Sequence, residues 1–158
     1  MRIFRILKHK YLLLFIPAII ITFVAVYTLY KSKENTPVYQ YKQSILDVID
    51  KYIEGLPEDR KDYRQEFICF LDSKTSLSTF YTAIEHSIPI DYETYMAHNT
   101  REEITSESLV FILPCIKKNF QFYYFTKHLF CLDKKIVFQL NENDSKKLYE
   151  IITRLKSP

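Results

Sequence analysis

The stretch that decides the fold is residues 119–140, NFQFYYFTKHLFCLDKKIVFQL. It holds three short runs of aromatic and β-branched residues, at 119–125, 128–132 and 136–140. Runs of this length and composition, bounded by polar turns such as 133–135, predict β-strands. Strands that follow one another this closely along the chain pair antiparallel. We therefore predict an antiparallel β-meander.

The chain before the meander is predicted to be mostly helical. Apolar residues recur every three or four positions in 38–56, from Pro57 to residue 71, and in 76–86. This is the spacing of one helix face, so each segment is predicted to form an amphipathic helix. Residues 87–107 carry no clear period, and we expect a loop there with a short helix near 92–97.

Two further segments complete the predicted fold. The apolar run LVFILPCI at 109–116 adds a strand before the meander. The C-terminal segment is the clearest helix of the chain, and Asn143 or Asp144 can cap it. Its apolar stripe comprises Leu148, Ile151, Ile152 and Leu155. The predicted fold class is α+β, with helices on one face of a small antiparallel sheet and a helix at the C-terminus.

An uncharged run of twenty residues stands near the N-terminus, YLLLFIPAIIITFVAVYTLY at 11–30. A helix of that length spans about 30 Å, which is the thickness of the hydrocarbon core of a bilayer. A cleavable signal peptide is the alternative, but its apolar core is shorter, about 7–15 residues, and it ends in small residues. We therefore predict an uncleaved transmembrane anchor that contacts the lipid bilayer.

The charges on either side of this run predict its orientation. Residues before the run include four bases and no acid, whereas the segment KSKENTP after it has a net charge of only one. The positive-inside bias then leaves the N-terminus in the cytoplasm of a bacterial inner membrane and exports the remainder. The predicted organisation is a cytoplasmic N-terminus at 1–10, the anchor at 11–30, a linker at 31–37 and a periplasmic domain at 38–158.

The overall charge of +3 does not indicate nucleic-acid binding. All 19 acidic residues follow residue 30, and four of the 22 basic residues precede it. The exported part therefore has 18 bases against 19 acids. The four bases before the apolar run account for the positive net charge, and we assign them to the orientation of the anchor. We therefore expect no nucleic-acid partner.

Glycine is nearly absent, with Gly55 as the one glycine of the chain. Phosphate-binding loops, dinucleotide fingerprints and nucleophile elbows all need glycine, so these sites are excluded. The cysteines and histidines show no metal-ligand spacing. We therefore expect a non-enzymatic protein without catalytic residues, cofactor or metal.

The three cysteines all fall in the exported part, where an oxidising compartment favours disulfides. Cys115 and Cys131 lie in predicted neighbouring strands. A disulfide between them closes a loop of about 16 residues, worth about 3 kcal/mol in the chain-entropy model. Cys69 lies on the apolar face of the helix predicted at 57–71, and we interpret it as a small buried hydrophobe.

Two sets of residues are candidates for binding or regulation. Phe122, Tyr124 and Phe130 would offer an aromatic contact face to a partner if one side of the meander stays exposed. His98 lies near Glu93 and other charged residues, and a histidine beside carboxylates can titrate between pH 5 and 8. We predict the aromatic face as a partner contact and His98 as a pH-responsive position.

The layout as a whole resembles a known group of proteins. Its features are a short basic N-terminus, one uncleaved span, an exported domain of about 120 residues and the cysteine pair Cys115 and Cys131. They are similar to the small accessory proteins of ToxR-like membrane-bound transcription activators, the ToxS, TcpH and PsaF/MyfF types. The resemblance implies a protein that binds the periplasmic domain of such an activator, protects it from proteolysis and supports expression of fimbrial or other virulence genes.

Two other classes of protein fit the same sequence. One is a membrane-anchored immunity protein that neutralises a toxin acting in the periplasm or the membrane. The other is a subunit of an envelope or secretion assembly. Neighbouring genes discriminate among the three, since a membrane-bound activator, a toxin or secretion components would each favour one class. The sequence leaves the partner, the signal and the oligomeric state open.

Overall fold

The structure is a computed structural model that describes residues 3–34, 36–66, 68–99, 109–113, 120–125 and 127–155. The chain divides into two compact units, Met1–Gln40 and Tyr41–Pro158. One long helix dominates the first unit, and a sheet with packed helices forms the second.

The long helix of the first unit is α1, Ile3–Glu34, and it contains the whole apolar run at 11–30. It also continues into the predicted linker at 31–37. The hydroxyls of Thr22 and Thr28 donate to backbone carbonyls one turn earlier, at 2.8 and 2.9 Å, so their polar groups are satisfied within the helix. Among the described residues, no helix is long and apolar enough to cross a membrane.

The remaining described elements are four α-helices and seven short strands. They are α2 (Pro37–Gly55), β1 (Tyr63–Gln65), β2 (Ile68–Phe70), α3 (Lys74–His86), β3 (Ile88–Asp91), α4 (Tyr92–His98), β4 (Leu109–Leu113), β5 (Phe120–Phe125), β6 (His128–Cys131), β7 (Ile136–Gln139) and α5 (Glu142–Arg154). A 3-10 turn at Leu132–Lys134 joins β6 to β7.

The seven described strands form one sheet in the order β1-β2-β4-β5-β6-β7-β3. Strands β4 to β7 are consecutive neighbours that pair antiparallel, which confirms the predicted meander. Strands β2 and β4 pair parallel, with Cys69 opposite Phe111, so the sheet is mixed.

Helices pack on both faces of this sheet. We call the face on which α3 packs the inner face and the face on which α4 packs the outer face. On the inner face, the Phe80 ring of α3 meets Phe111 and Phe122 edge to face, with ring centroids 5.6 and 5.0 Å apart. On the outer face, Tyr95 of α4 packs edge-on against Phe130 at 5.5 Å. Both contacts have the geometry that aromatic rings prefer. The chain is thus an α+β protein. The prediction that helices cover only one face of the sheet is wrong, because α4 packs on the other face.

The predicted helix at 57–71 is wrong, because β1 and β2 form a hairpin there. Tyr63 lies opposite Phe70, and the chain turns at Glu66, which has a left-handed φ of 52°. Strand β2 pairs with β1 on one side and β4 on the other. These backbone pairings outweigh the helical spacing of the apolar residues, since propensity yields to tertiary context.

Residues 88–91 form a strand in a region predicted to be mostly loop. This strand, β3, lies at the edge of the sheet and pairs antiparallel with β7. Pro89 has no N–H to donate, and an edge strand tolerates it for that reason.

The other predicted helices are confirmed as α2, α3, α4 and α5. The cap of α5 is Asn141, however, and not Asn143 or Asp144. The Asn141 side-chain oxygen accepts a hydrogen bond from the Asp144 N–H at 2.9 Å, which satisfies a free donor of the first helical turn.

Candidate functional site

The three aromatic residues predicted to contact a partner are buried. Phe122 and Tyr124 lie on the inner face, where the Tyr124 hydroxyl lies 2.9 Å from Ser145 Oγ of α5. Phe130 packs on the outer face beside Tyr95. Helices cover both sides of the meander at these positions, so none of the three side chains can reach a partner, and the predicted contact face is corrected.

Two of the three cysteines lie in the core, Cys69 in β2 and Cys131 at the end of β6, and neither forms a disulfide with another described residue. Burial raises the pKa of the Cys131 thiol to about 11, and Asp133 adds to this shift. A raised pKa keeps the thiol protonated and therefore poorly nucleophilic. Cys115 lies outside the described residues, so its disulfide with Cys131 stays a prediction.

His98 is the last residue of α4, and its side chain is exposed. Its Nδ1 lies 2.8 Å from the Thr94 carbonyl oxygen one turn earlier. The Glu93 carboxylate lies 3.5 Å from Lys135 Nζ. Residues 101–103, the other predicted neighbours of His98, lie outside the described residues. The pH-responsive role of His98 therefore stays a prediction.

Part of the outer face carries apolar side chains that remain accessible. The rings of Tyr63 and Phe70 stack with centroids 4.3 Å apart, and Tyr63 is 53% exposed. The surface around this pair, which we call the hairpin patch, comprises Tyr63, Ile68, Phe70, Val110 and Tyr123. Strand alternation places Tyr123 and Tyr124 on opposite faces, but it does not tell which face stays accessible.

A second surface feature is a cleft of about 520 Å³ between α3 and α5. Four hydroxyl side chains of α3 line it, Thr75, Ser78, Thr79 and Thr82. The remaining lining residues are Glu58, Lys74, Asp144 and Lys147. Sequence reasoning missed this cleft, since its two helices lie far apart along the chain.

Asp144 is the buried member of the cleft lining, with 3% of its surface exposed. Its Oδ2 lies 2.9 Å from His86 Nδ1 and 2.6 Å from Asn141 Nδ2. His86 is the last residue of α3, so this carboxylate connects the end of α3 to the beginning of α5. The first turn of a helix also favours a negative charge.

Two arrangements that are typical of reaction centres are not found among the described residues. None of them forms a group of three or more His, Cys, Asp or Glu that could hold a metal ion. Within the described ranges, no hydroxyl or thiol is hydrogen-bonded to the second ring nitrogen of His86. The His86–Asp144 pair thus lacks the nucleophile contact that a catalytic arrangement shows. The cleft instead offers hydrogen-bonding groups and charge.

Comparisons with protein-family models, with curated proteins and with solved structures gave no match. The class that the fold defines is an α+β protein whose mixed sheet has helices on both faces.

Proposed function

We propose that this chain is a non-enzymatic, single-pass protein of a bacterial inner membrane whose exported domain binds and stabilises a membrane protein. The proposed partner is a ToxR-like transcription activator that controls surface or virulence genes, because the layout of the chain resembles the accessory proteins of such activators. The observation that carries the proposal is the surface of α1.

The described large apolar side chains of α1, between residues 15 and 29, are exposed on every side of the helix. At about 100° per residue, their positions are distributed around the whole axis. They are Phe15, Ile16, Ile19, Ile20, Ile21, Phe23, Val24, Val26, Tyr27 and Leu29. A helix that is apolar all round is unfavourable in water, whereas lipid tails solvate it. The exposed surface of residues 15–29 therefore favours contact with lipid over this part of the proposed anchor.

The orientation of the anchor is tested with reporters fused to the C-terminus of the full chain. Alkaline phosphatase becomes active when it is exported to the periplasm. Green fluorescent protein that is exported in unfolded form fluoresces poorly there. We expect an active phosphatase fusion and a dark fluorescent fusion. Replacing the four bases of residues 1–10 by Gln should reduce phosphatase activity, since they supply the topology signal. A bright fluorescent fusion with inactive phosphatase would contradict the proposed export.

The hairpin patch supports partner binding by the second unit. Aromatic residues are enriched in protein interfaces and dominate their binding energy. The stacked pair of Tyr63 and Phe70 offers such residues in an ordered and accessible form. The pair lies in β1 and β2 at one end of the sheet, where a partner can cover it without disturbing the core.

A photocrosslinking experiment in living cells tests partner binding at this patch. A photoreactive phenylalanine derivative replaces Tyr63 in the full chain. The matched control carries it at Tyr149, which is 56% exposed on α5 and so is as accessible as Tyr63. We expect position 63 to capture a membrane-bound transcription activator and position 149 to capture much less of it.

The identity of the captured protein decides between the three classes. A toxin captured at position 63 would replace the regulatory proposal by immunity, and a secretion component would replace it by an assembly role. Equal capture of the activator at both positions would remove the hairpin patch as the contact surface. If neither position captures any protein, partner binding itself is overturned.

A further inference from the structure

Helix α3 is rich in hydroxyl residues. Five of its 13 residues are Ser or Thr, and these side chains compete with the helical backbone for hydrogen bonds. Four of the five line the cleft between α3 and α5. Thr79 Oγ1 donates back to the Thr75 carbonyl oxygen at 2.9 Å. In the described part of the chain, the hydroxyls of Thr75, Ser78 and Thr82 have no protein partner and face an open cleft.

The charges of the cleft leave one cation available. Lys74 Nζ lies 3.0 Å from Glu58 Oε1, so these two lining residues neutralise each other. Lys147 also lines the cleft, and none of the carboxylates in the described ranges lies within 4.0 Å of its ammonium group. An ammonium group in a cleft that hydroxyl side chains also line suits an oxyanion.

The buried carboxylate supplies a complementary acceptor. Both described hydrogen bonds to the Asp144 side chain involve Oδ2, from His86 and Asn141, and no described residue donates to Oδ1. An ionised carboxylate has room for about four donors, so Oδ1 can accept from a ligand hydroxyl. The cleft thus combines a cation, a buried acceptor and several hydroxyls.

We propose that this cleft is a binding site for a small polyhydroxylated acid, such as a sugar acid. Lys147 binds the carboxylate of the ligand, while Asp144 and the hydroxyls of Ser78 and Thr82 bind its hydroxyl groups. The volume of about 520 Å³ lies within the range of small-molecule sites, roughly 300–1,000 Å³. The site is distinct from the hairpin patch, so this inference goes beyond the proposed partner binding.

Isothermal titration of the full-length protein in detergent micelles tests the site, with sodium glucuronate as the probe. Glucose and inorganic phosphate serve as comparison ligands, because the first has the hydroxyls without the charge and the second has the charge without a sugar ring. We expect saturable glucuronate binding that is about tenfold tighter than either comparison, the difference that loss of one charged hydrogen bond makes.

Two neighbouring lysines of α5 provide a matched pair of variants. Lys147→Gln removes the cation of the cleft and should weaken glucuronate binding about tenfold. Lys146→Gln changes an exposed lysine outside the cleft lining and should leave binding unchanged. Ser78→Ala should weaken binding about threefold through loss of one neutral hydrogen bond.

Three results would overturn this proposal. They are no heat of glucuronate binding, equal weakening by both lysine variants, and phosphate binding as tight as glucuronate. None of them affects crosslinking at Tyr63, so failure of the cleft and failure of partner binding are distinguishable.

Discussion

The Lys42 ammonium group of α2 lies 2.6 Å from the backbone carbonyl oxygen of Glu85 in the last turn of α3. The same ammonium group lies 2.7 Å from the carbonyl oxygen of Ser87. Carbonyls at a helix C-terminus lack intrahelical partners and carry partial negative charge. Lys42 therefore satisfies the end of α3 and connects α2 to it.

Removing this ammonium group should destabilise the protein. Lys42→Met keeps the aliphatic stem but loses both charged hydrogen bonds, and we expect the free energy of unfolding to fall by about 2 kcal/mol. Urea unfolding of the full-length protein in detergent, followed by far-UV circular dichroism, measures the change. Lys51→Met, at an exposed position of the same helix, should change it by less than about 0.5 kcal/mol. Equal effects of the two variants would contradict the role of Lys42.

Two tyrosines of α2 should respond in opposite ways to loss of the hydroxyl. The Tyr41 hydroxyl is buried and has no hydrogen-bond partner among the described residues. The Tyr52 hydroxyl donates to Asp72 Oδ1 at 2.8 Å. An unpaired buried hydroxyl is unfavourable, so Tyr41→Phe should raise the free energy of unfolding by about 1 kcal/mol, while Tyr52→Phe should lower it by about 1–2 kcal/mol. The same urea titration measures both, and destabilisation by Tyr41→Phe would refute the assignment.

The Asp62 carboxylate organises the loop that leads into α3. It accepts hydrogen bonds from the backbone N–H groups of Asp72 and Ser73, each at 2.8 Å. It also accepts from the hydroxyls of Ser73 and Ser76. We expect Asp62→Ala to lower the free energy of unfolding by about 3 kcal/mol, because several donors lose their partner at once. Asp59→Ala, in the exposed turn nearby, is the control and should stay within about 0.5 kcal/mol of the parent.

Stability of the reduced protein should decline at alkaline pH. Burial raises the pKa of the Cys131 thiol from 9.0 to about 11, with Asp133 as a second cause. Between these values the unfolded state has lost the thiol proton and the folded state retains it. The contribution of Cys131 is therefore present in full below pH 9 and is lost as pH rises through about 11. Urea midpoints at pH 8.5, 9.5 and 10.5 measure the decline, and Cys131→Ala should flatten it. An equally steep decline in that variant would assign the effect to other groups.

The sequence correctly predicted the elements whose apolar spacing fits only one type of secondary structure. Helices α2, α3 and α5 each present one apolar stripe, and the meander from β4 to β7 consists of short apolar runs between polar turns. The hairpin at 63–70 was missed because its apolar residues also fit a helical period. Pairing of β2 with β4, some forty residues further along the chain, decided the outcome, and no local window contains that information.

The candidate sites depended still more on tertiary structure. The meander strands carry aromatic residues on both faces, so sequence alternation could not tell which set is covered. The structure buries Phe122 and Tyr124 under helices and leaves Tyr63 accessible. The cleft brings Ser78 and Lys147 into one lining although nearly seventy residues separate them.

The sequence by itself determined the α+β class, the meander and the C-terminal helix, because hydrophobic periodicity is a local property that burial enforces directly. It also contains the apolar run and the basic N-terminus on which the proposed membrane anchor depends. Only the tertiary structure decided the parallel β2–β4 pairing, the face that stays accessible and the cleft between α3 and α5. These features depend on contacts between residues distant in the chain, and many pairings satisfy the same local pattern until the whole core is packed.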